Sequence, residues 1–274
     1  MNKISRITTQ KKNKQRYNIF LTQGKGDQYG FSVDEAILIE NRLHKGMELS
    51  QDLIDELQQN DTFHKSYSLA LNYLSFRMRT KKEMYDYLKD KEVDDHDIPD
   101  IMDKLINEGL LDDRQFTDAF VNTRISTSSK GPQLVKRELI QKGVSTQIAE
   151  EAMEKYTYEI QYEKAIKWIE KRLRTTKRDS FKKQQQKMRA NLMQKGFSTD
   201  IINDVLAEVQ NNQDADEEKE ALIFHAEKLL RRHERKYTGY TLQQKVKEGL
   251  YRQGFSFDKI NEYINEKEWG IDES

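Results

Sequence analysis

The chain of 274 residues contains no cysteine, only two prolines and no long apolar segment. The lack of cysteine excludes a disulfide framework, a thiolate nucleophile and a cysteine-ligated zinc site. No apolar stretch approaches the about 18 residues of a membrane-spanning helix, and the basic N-terminus lacks the apolar segment of a signal peptide. We therefore expect a cytoplasmic protein with no membrane segment.

Catalytic and metal-binding constellations are also missing. The five histidines show no spacing typical of a metal site, and the carboxylates are spread over predicted helical surfaces and turns. This pattern favours solvated or core histidines over ligands. We predict a protein that is not an enzyme and that carries no cofactor and no metal.

The net charge is zero, with 47 basic and 47 acidic residues, but the charges are segregated along the chain. Residues 1–16 carry six Lys or Arg and no acid, residues 164–195 carry twelve against two acids, and residues 90–113 carry ten acids against two lysines. Such blocks create local fields in a neutral chain. They favour a protein partner with its own charge pattern over uniform coating of nucleic acid.

Three glycines mark an internal repeat. Gly143, Gly196 and Gly254 lie 53 and 58 residues apart, and each precedes a serine by two residues. A period of about 50 residues predicts an array of one supersecondary unit. Each glycine is placed to end a middle helix in the left-handed conformation, and each serine to cap a third helix. The serines are Ser145, Ser198 and Ser256.

The predicted fold is therefore mainly α, an elongated curved array of tandem three-helix repeats. A small N-terminal cap is expected to combine a β-hairpin, with strands at 17–22 and 29–33, and helices. The glycines of segment 24–26 favour a hairpin turn over a phosphate loop. We predict a cap at 1–60 and repeats at 61–112, 113–158, 159–212 and 213–274, with an acidic linker at 210–220. The first copy departs from the pattern because Glu92 replaces the glycine.

Positive charge recurs near the helix ends of every copy. One interpretation is a solvated face with cations at helix C-termini, each worth about 0.3 to 1 kcal/mol. The other is one edge of the array that binds a long anionic polymer. The aromatic residues Tyr73, Trp168, Tyr251 and Phe255 could stack on bases there, but core packing is the favoured interpretation. The candidate binding residues are Arg77, Arg79, Lys81, Lys82, Arg124, Lys130, Lys136, Arg137, Arg172, Arg174, Lys182, Lys183, Arg231, Arg232, Arg235 and Lys236.

Three segments of the chain, residues 73–84, 110–120 and 130–132, resemble the RecX family of regulators of the RecA recombinase. Together with the repeat, the resemblance covers about residues 65 to 265. It implies three-helix units that bind in the groove of the RecA filament on single-stranded DNA. We also expect a monomer with a weak direct contact to DNA. The resemblance further implies modulation, mostly inhibition, of strand exchange, ATP hydrolysis and co-protease activity in DNA repair and the SOS response. Two alternatives stay open, a single-stranded DNA-binding competitor of RecA and a helical scaffold for another protein.

Overall fold

A computed structural model of the chain describes residues 2–23, 26–173, 179–211, 215–267 and 269. The structure divides into two compact units, the first formed by residues 1–116 with 142–144 and the second by residues 117–141 with 145–274. Within the described residues there are four strands and thirteen α-helices. None of these helices is both long and apolar enough to span a bilayer.

The first unit begins with a small antiparallel sheet. Its elements are β1 (Asn2–Thr9), β2 (Arg16–Gln23), β3 (Gly26–Asp34), α1 (Glu35–Glu40) and β4 (Glu48–Leu49), with the strand order β3-β2-β1-β4. The two strands of the predicted hairpin are confirmed, although Gly24 and Lys25 of its turn lie outside the described residues. β1, from the basic N-terminal segment, adds a further strand beside β2.

One long helix, α2 (Gln51–Phe76), joins the sheet to the first three-helix copy. The Ser50 hydroxyl accepts a hydrogen bond from the amide of Leu53 and so caps its start. The predicted boundary at residue 60 falls inside this helix. At that point Asp61 is buried, and its carboxylate accepts hydrogen bonds from the Arg16 guanidinium at 3.1 and 2.7 Å and from the backbone of Asp34 at 2.9 Å. This buried contact connects the helix to the sheet.

The first three-helix copy comprises the end of α2, α3 (Lys81–Asp90) and α4 (Asp97–Asn107). Ala70, Met84, Leu88 and Ile101 are fully buried in its core, and Met84 and Leu88, four residues apart, share one face of α3. Between α3 and α4, Glu92 adopts a positive φ of 56°, the conformation that glycine supplies in the other copies.

The remaining helices repeat this arrangement. They are α5 (Asp113–Thr127), α6 (Pro132–Gln141), α7 (Thr146–Ala152), α8 (Tyr158–Leu173), α9 (Phe181–Gln194), α10 (Thr199–Asn211), α11 (Ala215–His233), α12 (Gly239–Gln253) and α13 (Phe257–Glu266). A 3-10 turn, Met153–Lys155, follows α7. The mainly helical fold with tandem three-helix copies is confirmed, and hydrogen bonds to the hydroxyls of the three predicted serine caps begin α7, α10 and α13.

The predicted acidic linker at 210–220 is wrong for most of its length. α10 continues to Asn211 and α11 begins at Ala215, which leaves only residues 212–214 outside the described part. Asp216, Glu217 and Glu218 form the first turn of α11. Acidic side chains stabilise a helix N-terminus by interaction with the positive end of the helix dipole. The acidic composition of this segment is therefore that of a helix start and not of a linker.

Candidate partner-binding surface

The middle helices of the first three copies each begin against a glycine-containing turn of the following copy. In the first unit the Thr80 hydroxyl, at the start of α3, donates to the carbonyl of Lys142 at 2.6 Å. In the second unit the amides of Gly131 and Gln133, at the start of α6, donate to the carbonyls of Lys195 and Gly196 at 2.8 and 3.0 Å. The Ser180 hydroxyl, at the start of α9, likewise donates to the Gln253 carbonyl. The same kind of junction therefore occurs three times.

Two physical requirements favour glycine at these junctions, a positive φ and the lack of space for a side chain. Gly143, Gly196 and Gly254 have φ of 90°, 83° and 97°, as predicted. A Cβ atom on Gly143 would also lie 2.2 Å from the Lys82 side chain, and one on Gly196 would lie 2.3 Å from the backbone nitrogen of Leu134. A Cβ atom on Gly254 would lie 2.9 Å from the Ser180 hydroxyl. Glu92 is exposed at the corresponding turn of the first copy. A side chain is therefore tolerated where no earlier copy packs.

Two of the candidate cations of the first copy belong to structural networks. The Glu83 carboxylate accepts hydrogen bonds from Lys142 at 2.6 Å and from Arg77 at 3.3 Å, and it completes a capping box with Thr80. Burial raises the pKa of Glu83, but the bonds from Lys142 and Arg77 outweigh it and hold the pKa below its usual range. Arg77 is thus committed to an intramolecular ion pair.

Arg79 is committed in a different way. Its guanidinium carbon lies 3.8 Å from the ring centroid of Tyr73, and that ring stacks on Tyr87 with 3.8 Å between centroids. Cation–π contact of this kind stabilises by about 0.5 to 2 kcal/mol. Tyr73 therefore stacks within the protein, while Lys81 and Lys82 are exposed at the start of α3.

In the second copy Glu138 gathers two of the candidate cations. Arg124 pairs with Glu138 at 3.0 Å, and the Lys130 ammonium pairs with the same carboxylate. Lys136 pairs with Glu150 at 2.6 Å. Arg137 is exposed, and within the described residues its hydrogen bond is to the Gln133 carbonyl of its own helix.

The third and fourth copies contain the more accessible candidates. Lys183 donates to the Gln253 side chain at 2.8 Å, Arg231 pairs with Glu227 at 3.5 Å, and Arg174 lies outside the described residues. Arg231 is nevertheless exposed, and the other exposed candidates here are Arg172, Lys182, Arg232, Arg235 and Lys236. Arg235 and Lys236 form no ion pair in the described part of the chain and follow the end of α11.

The candidate aromatic residues have different environments. Phe255 is only 2% exposed, which confirms the core interpretation, whereas Tyr251 is exposed and stacks on Phe257 with 4.5 Å between centroids. Trp168 packs against the core of the third copy, but it also lines a cavity of about 440 Å³. The other lining residues are Ser129, Lys167, Lys171 and Arg172.

The sequence reasoning missed this cavity. Lys167 and Lys171 were available as a signal, because residues four apart on one helix share a face, and Trp168 lies beside them on α8. Ser129 could not be assigned in this way, since only the fold brings it to α8. Among the described residues, no group of three or more His, Asp or Glu side chains is arranged to hold a metal ion.

Comparison with known proteins gives one consistent result. The model of the "Regulatory protein RecX N-terminal domain" matches residues 2–50. The models of the first and second RecX three-helix domains match residues 67–105 and 112–153, and that of the third matches twice, at 159–206 and 216–264.

Full-length relatives and solved structures agree with these matches. "Regulatory protein RecX" of Oceanobacillus iheyensis is 50% identical to this chain over 97% of this chain and 98% of its own length. That of Halalkalibacterium halodurans is 41% identical over 96% of this chain and 99% of its own length. A crystal structure of regulatory protein RecX, 35% identical, covers 75% of this chain and 98% of its own with a TM-score of 0.64. The structure of RecX from Lactobacillus salivarius, 38% identical, covers 55% of this chain and 98% of its own with a TM-score of 0.53.

Proposed function

Because this chain belongs to the RecX family of regulatory proteins, we propose that it binds RecA filaments on single-stranded DNA and modulates, mostly by inhibition, their strand exchange, ATP hydrolysis and co-protease activity. The observation that carries the proposal is the match of RecX domain models to the N-terminal sheet and to all four three-helix copies. The cytoplasmic location and the absence of catalysis predicted from the sequence are part of this proposal.

A regulator of this kind needs no catalytic group. A protein that binds one state of a filament more tightly than another shifts the population towards that state, by as much as the two affinities differ. Repeated units suit a repetitive partner, because each copy adds contact area and the linked contacts reinforce one another. The proposal therefore requires accessible binding groups, and these are present.

Accessible cations give the proposal a specific surface. Arg137, Lys182, Arg232, Arg235 and Lys236 are exposed and form no ion pair within the described residues, whereas Arg77, Arg124 and Lys130 are held by carboxylates of this chain. Exposed cations contact either DNA phosphates or acidic side chains of RecA with little loss of internal interactions. We assign the binding role to the exposed group and a structural role to the paired group.

The test is the DNA-dependent ATPase of RecA with this protein added at substoichiometric amounts. We expect a lower rate with the wild-type chain and a weaker effect when Arg235 and Lys236 are both replaced by Glu. The matched control replaces Lys11 and Lys12 by Glu, because these adjacent exposed cations lie in the β1–β2 connection, outside the three-helix copies. An unchanged ATPase rate and filament length with the wild-type chain would exclude the proposal.

The alternative of a competitor for single-stranded DNA is favoured by one observation, the cations around Trp168. A pure competitor would bind naked strands tightly, with an affinity that falls steeply with salt, and would lose its effect when DNA is in excess. A filament regulator keeps its effect under those conditions. A scaffold for another protein would change neither ATP hydrolysis nor DNA binding.

A further inference from the structure

Trp168 lies between the core of the third copy and the cavity of about 440 Å³. This volume is within the range of about 300 to 1,000 Å³ that is typical of small-ligand sites. Its lining includes Lys167, Trp168 and Lys171 of α8 together with Ser129. The cavity therefore combines an aromatic ring with positive charge.

Lys195 adds a further cation beside the same ring. Its ammonium lies 5.5 Å from the Trp168 centroid and donates to the Ser129 hydroxyl at 2.7 Å. Burial and the neighbouring charge of Lys130 lower the pKa of Lys195. A bound anion would offset both effects, because it stabilises the charged form of the lysine.

The existing counter-charges leave part of this positive charge uncompensated. Lys167 pairs with Glu163 along α8, and Lys130 pairs with Glu138. Lys171 is exposed and forms no ion pair within the residues that the structure describes. An anionic ligand would thus meet at least one available ammonium at the cavity.

We propose that this cavity binds one nucleotide of a single-stranded nucleic acid, with the base against Trp168 and a phosphate near Lys171 and Lys195. A base uses the aromatic wall and its phosphate uses the cations, as in strand-binding proteins that combine stacking with a basic groove. An acidic peptide would use only the cations. The inference rests on the proposed function for its setting, since the RecA filament contains such a strand, but it predicts binding to a naked strand, which RecA assays do not test.

The experiment uses the full chain with Trp269→Phe, which leaves Trp168 as the single tryptophan. A strand of about 12 thymidine nucleotides, within the range of known strand-binding sites, is titrated at low salt while tryptophan fluorescence is recorded. We expect quenching that saturates, with an affinity that decreases as salt increases. The absence of quenching together with the absence of binding of a labelled strand by anisotropy would overturn the inference, whatever the RecA assay shows.

Variants separate stacking from charge. In anisotropy with the labelled strand, Trp168→Ala should weaken binding about fivefold or more, and Trp168→Phe should retain part of the affinity. Because Trp168 also packs against the core, circular dichroism must show that each variant is folded. Lys171→Glu should weaken binding about threefold or more, whereas Lys45→Glu, an equal charge change at an exposed residue of the first unit, should not.

Two ligand controls complete the test. An abasic strand of equal length should bind more weakly than the thymidine strand, and a polyglutamate peptide should not compete at equal charge. Equal affinity for the abasic strand would refute the stacking of a base on Trp168. Tighter binding of polyglutamate would overturn the proposal and identify the cavity as a site for an acidic protein segment.

Discussion

Replacement of Gly196 by alanine would introduce two costs at a junction between copies. The residue has a φ of 83°, and a non-glycine residue in the left-handed region costs about 1 to 3 kcal/mol. The new methyl group would lie 2.3 Å from the backbone nitrogen of Leu134, and backbone cannot rotate away as a flexible side chain can. Overpacking of this kind costs about 1 to 3 kcal/mol more. The hydrogen bond from Gln133 to Gly196, at 3.0 Å, would also be strained.

Gly109 provides a matched control in the same chain. Its φ is 70°, and a Cβ atom there would have no neighbour within 4 Å. Gly109→Ala should therefore cost only the backbone part, about 1 kcal/mol after the lower entropy of the unfolded chain is counted. We expect Gly196→Ala to cost about 1 to 3 kcal/mol more than Gly109→Ala, which is the contribution of the contact between copies.

Hydrogen–deuterium exchange measured by mass spectrometry suits this comparison, because it reports local opening in a chain with more than one unit. Gly196→Ala should accelerate exchange at the start of α6 and at the turn before α10 together. Gly109→Ala should affect only the end of α4. Equal costs for the two substitutions, or unchanged protection of the α6 start in Gly196→Ala, would refute the idea that these turns bind successive copies to each other.

Three further predictions concern polar contacts. Asp61→Ala should lower the free energy of unfolding by about 3 kcal/mol in urea denaturation, since it removes a buried carboxylate and leaves the largely buried Arg16 guanidinium unpaired. Burial raises the pKa of Asp61, but its bonds with Arg16 and Lys65 outweigh burial and lower the pKa below its usual value. The stability that Asp61 contributes is therefore present above about pH 4 and is lost as the pH falls through the lowered pKa. The difference in stability between the wild type and Asp61→Ala should accordingly shrink in acid. Glu83→Gln should cost about 1.5 kcal/mol by the same measurement, whereas Arg137→Ala, at an exposed site, should cost less than about 0.5 kcal/mol. Glu218→Ala should lower the free energy of unfolding by about 1 to 2 kcal/mol, because the buried Glu218 carboxylate accepts a hydrogen bond from the amide of Phe181, the first residue of α9, at 2.8 Å. A variant with unchanged stability would contradict this.

The repeat could be predicted from the sequence because its physical requirements are local. A left-handed helix end selects glycine and a helix start selects serine, so Gly196 and Ser198 mark one turn without knowledge of the partner helix. A tail contact is of the same local kind, since the Trp269 indole donates to the carbonyl of Ile264, five residues earlier, at 2.8 Å. The elements that local chemistry determines were therefore the ones predicted correctly.

Long-range pairing could not be predicted in the same way. Arg77 and Lys182 both occur in basic stretches near a helix end, yet one is bound to Glu83 and the other is exposed. Their difference depends on which carboxylate the fold brings within reach, and spacing along the chain does not encode that. The prediction of a linker at the start of α11 was wrong for a related reason. Asp216 and its neighbours stabilise a helix N-terminus, but their composition alone resembles that of a linker.

The exposed turn at Glu92 distinguishes the first copy from the later ones. Every later turn is covered by the start of an earlier middle helix, so contacts pass in one chain direction and the leading turn alone accepts an ordinary side chain. A duplicated copy could be inserted after the first without new chemistry, provided that it brings its own glycine and its own hydroxyl or amide donor. Growth of such a chain is therefore simple at interior positions and constrained at its beginning, where the sheet is attached.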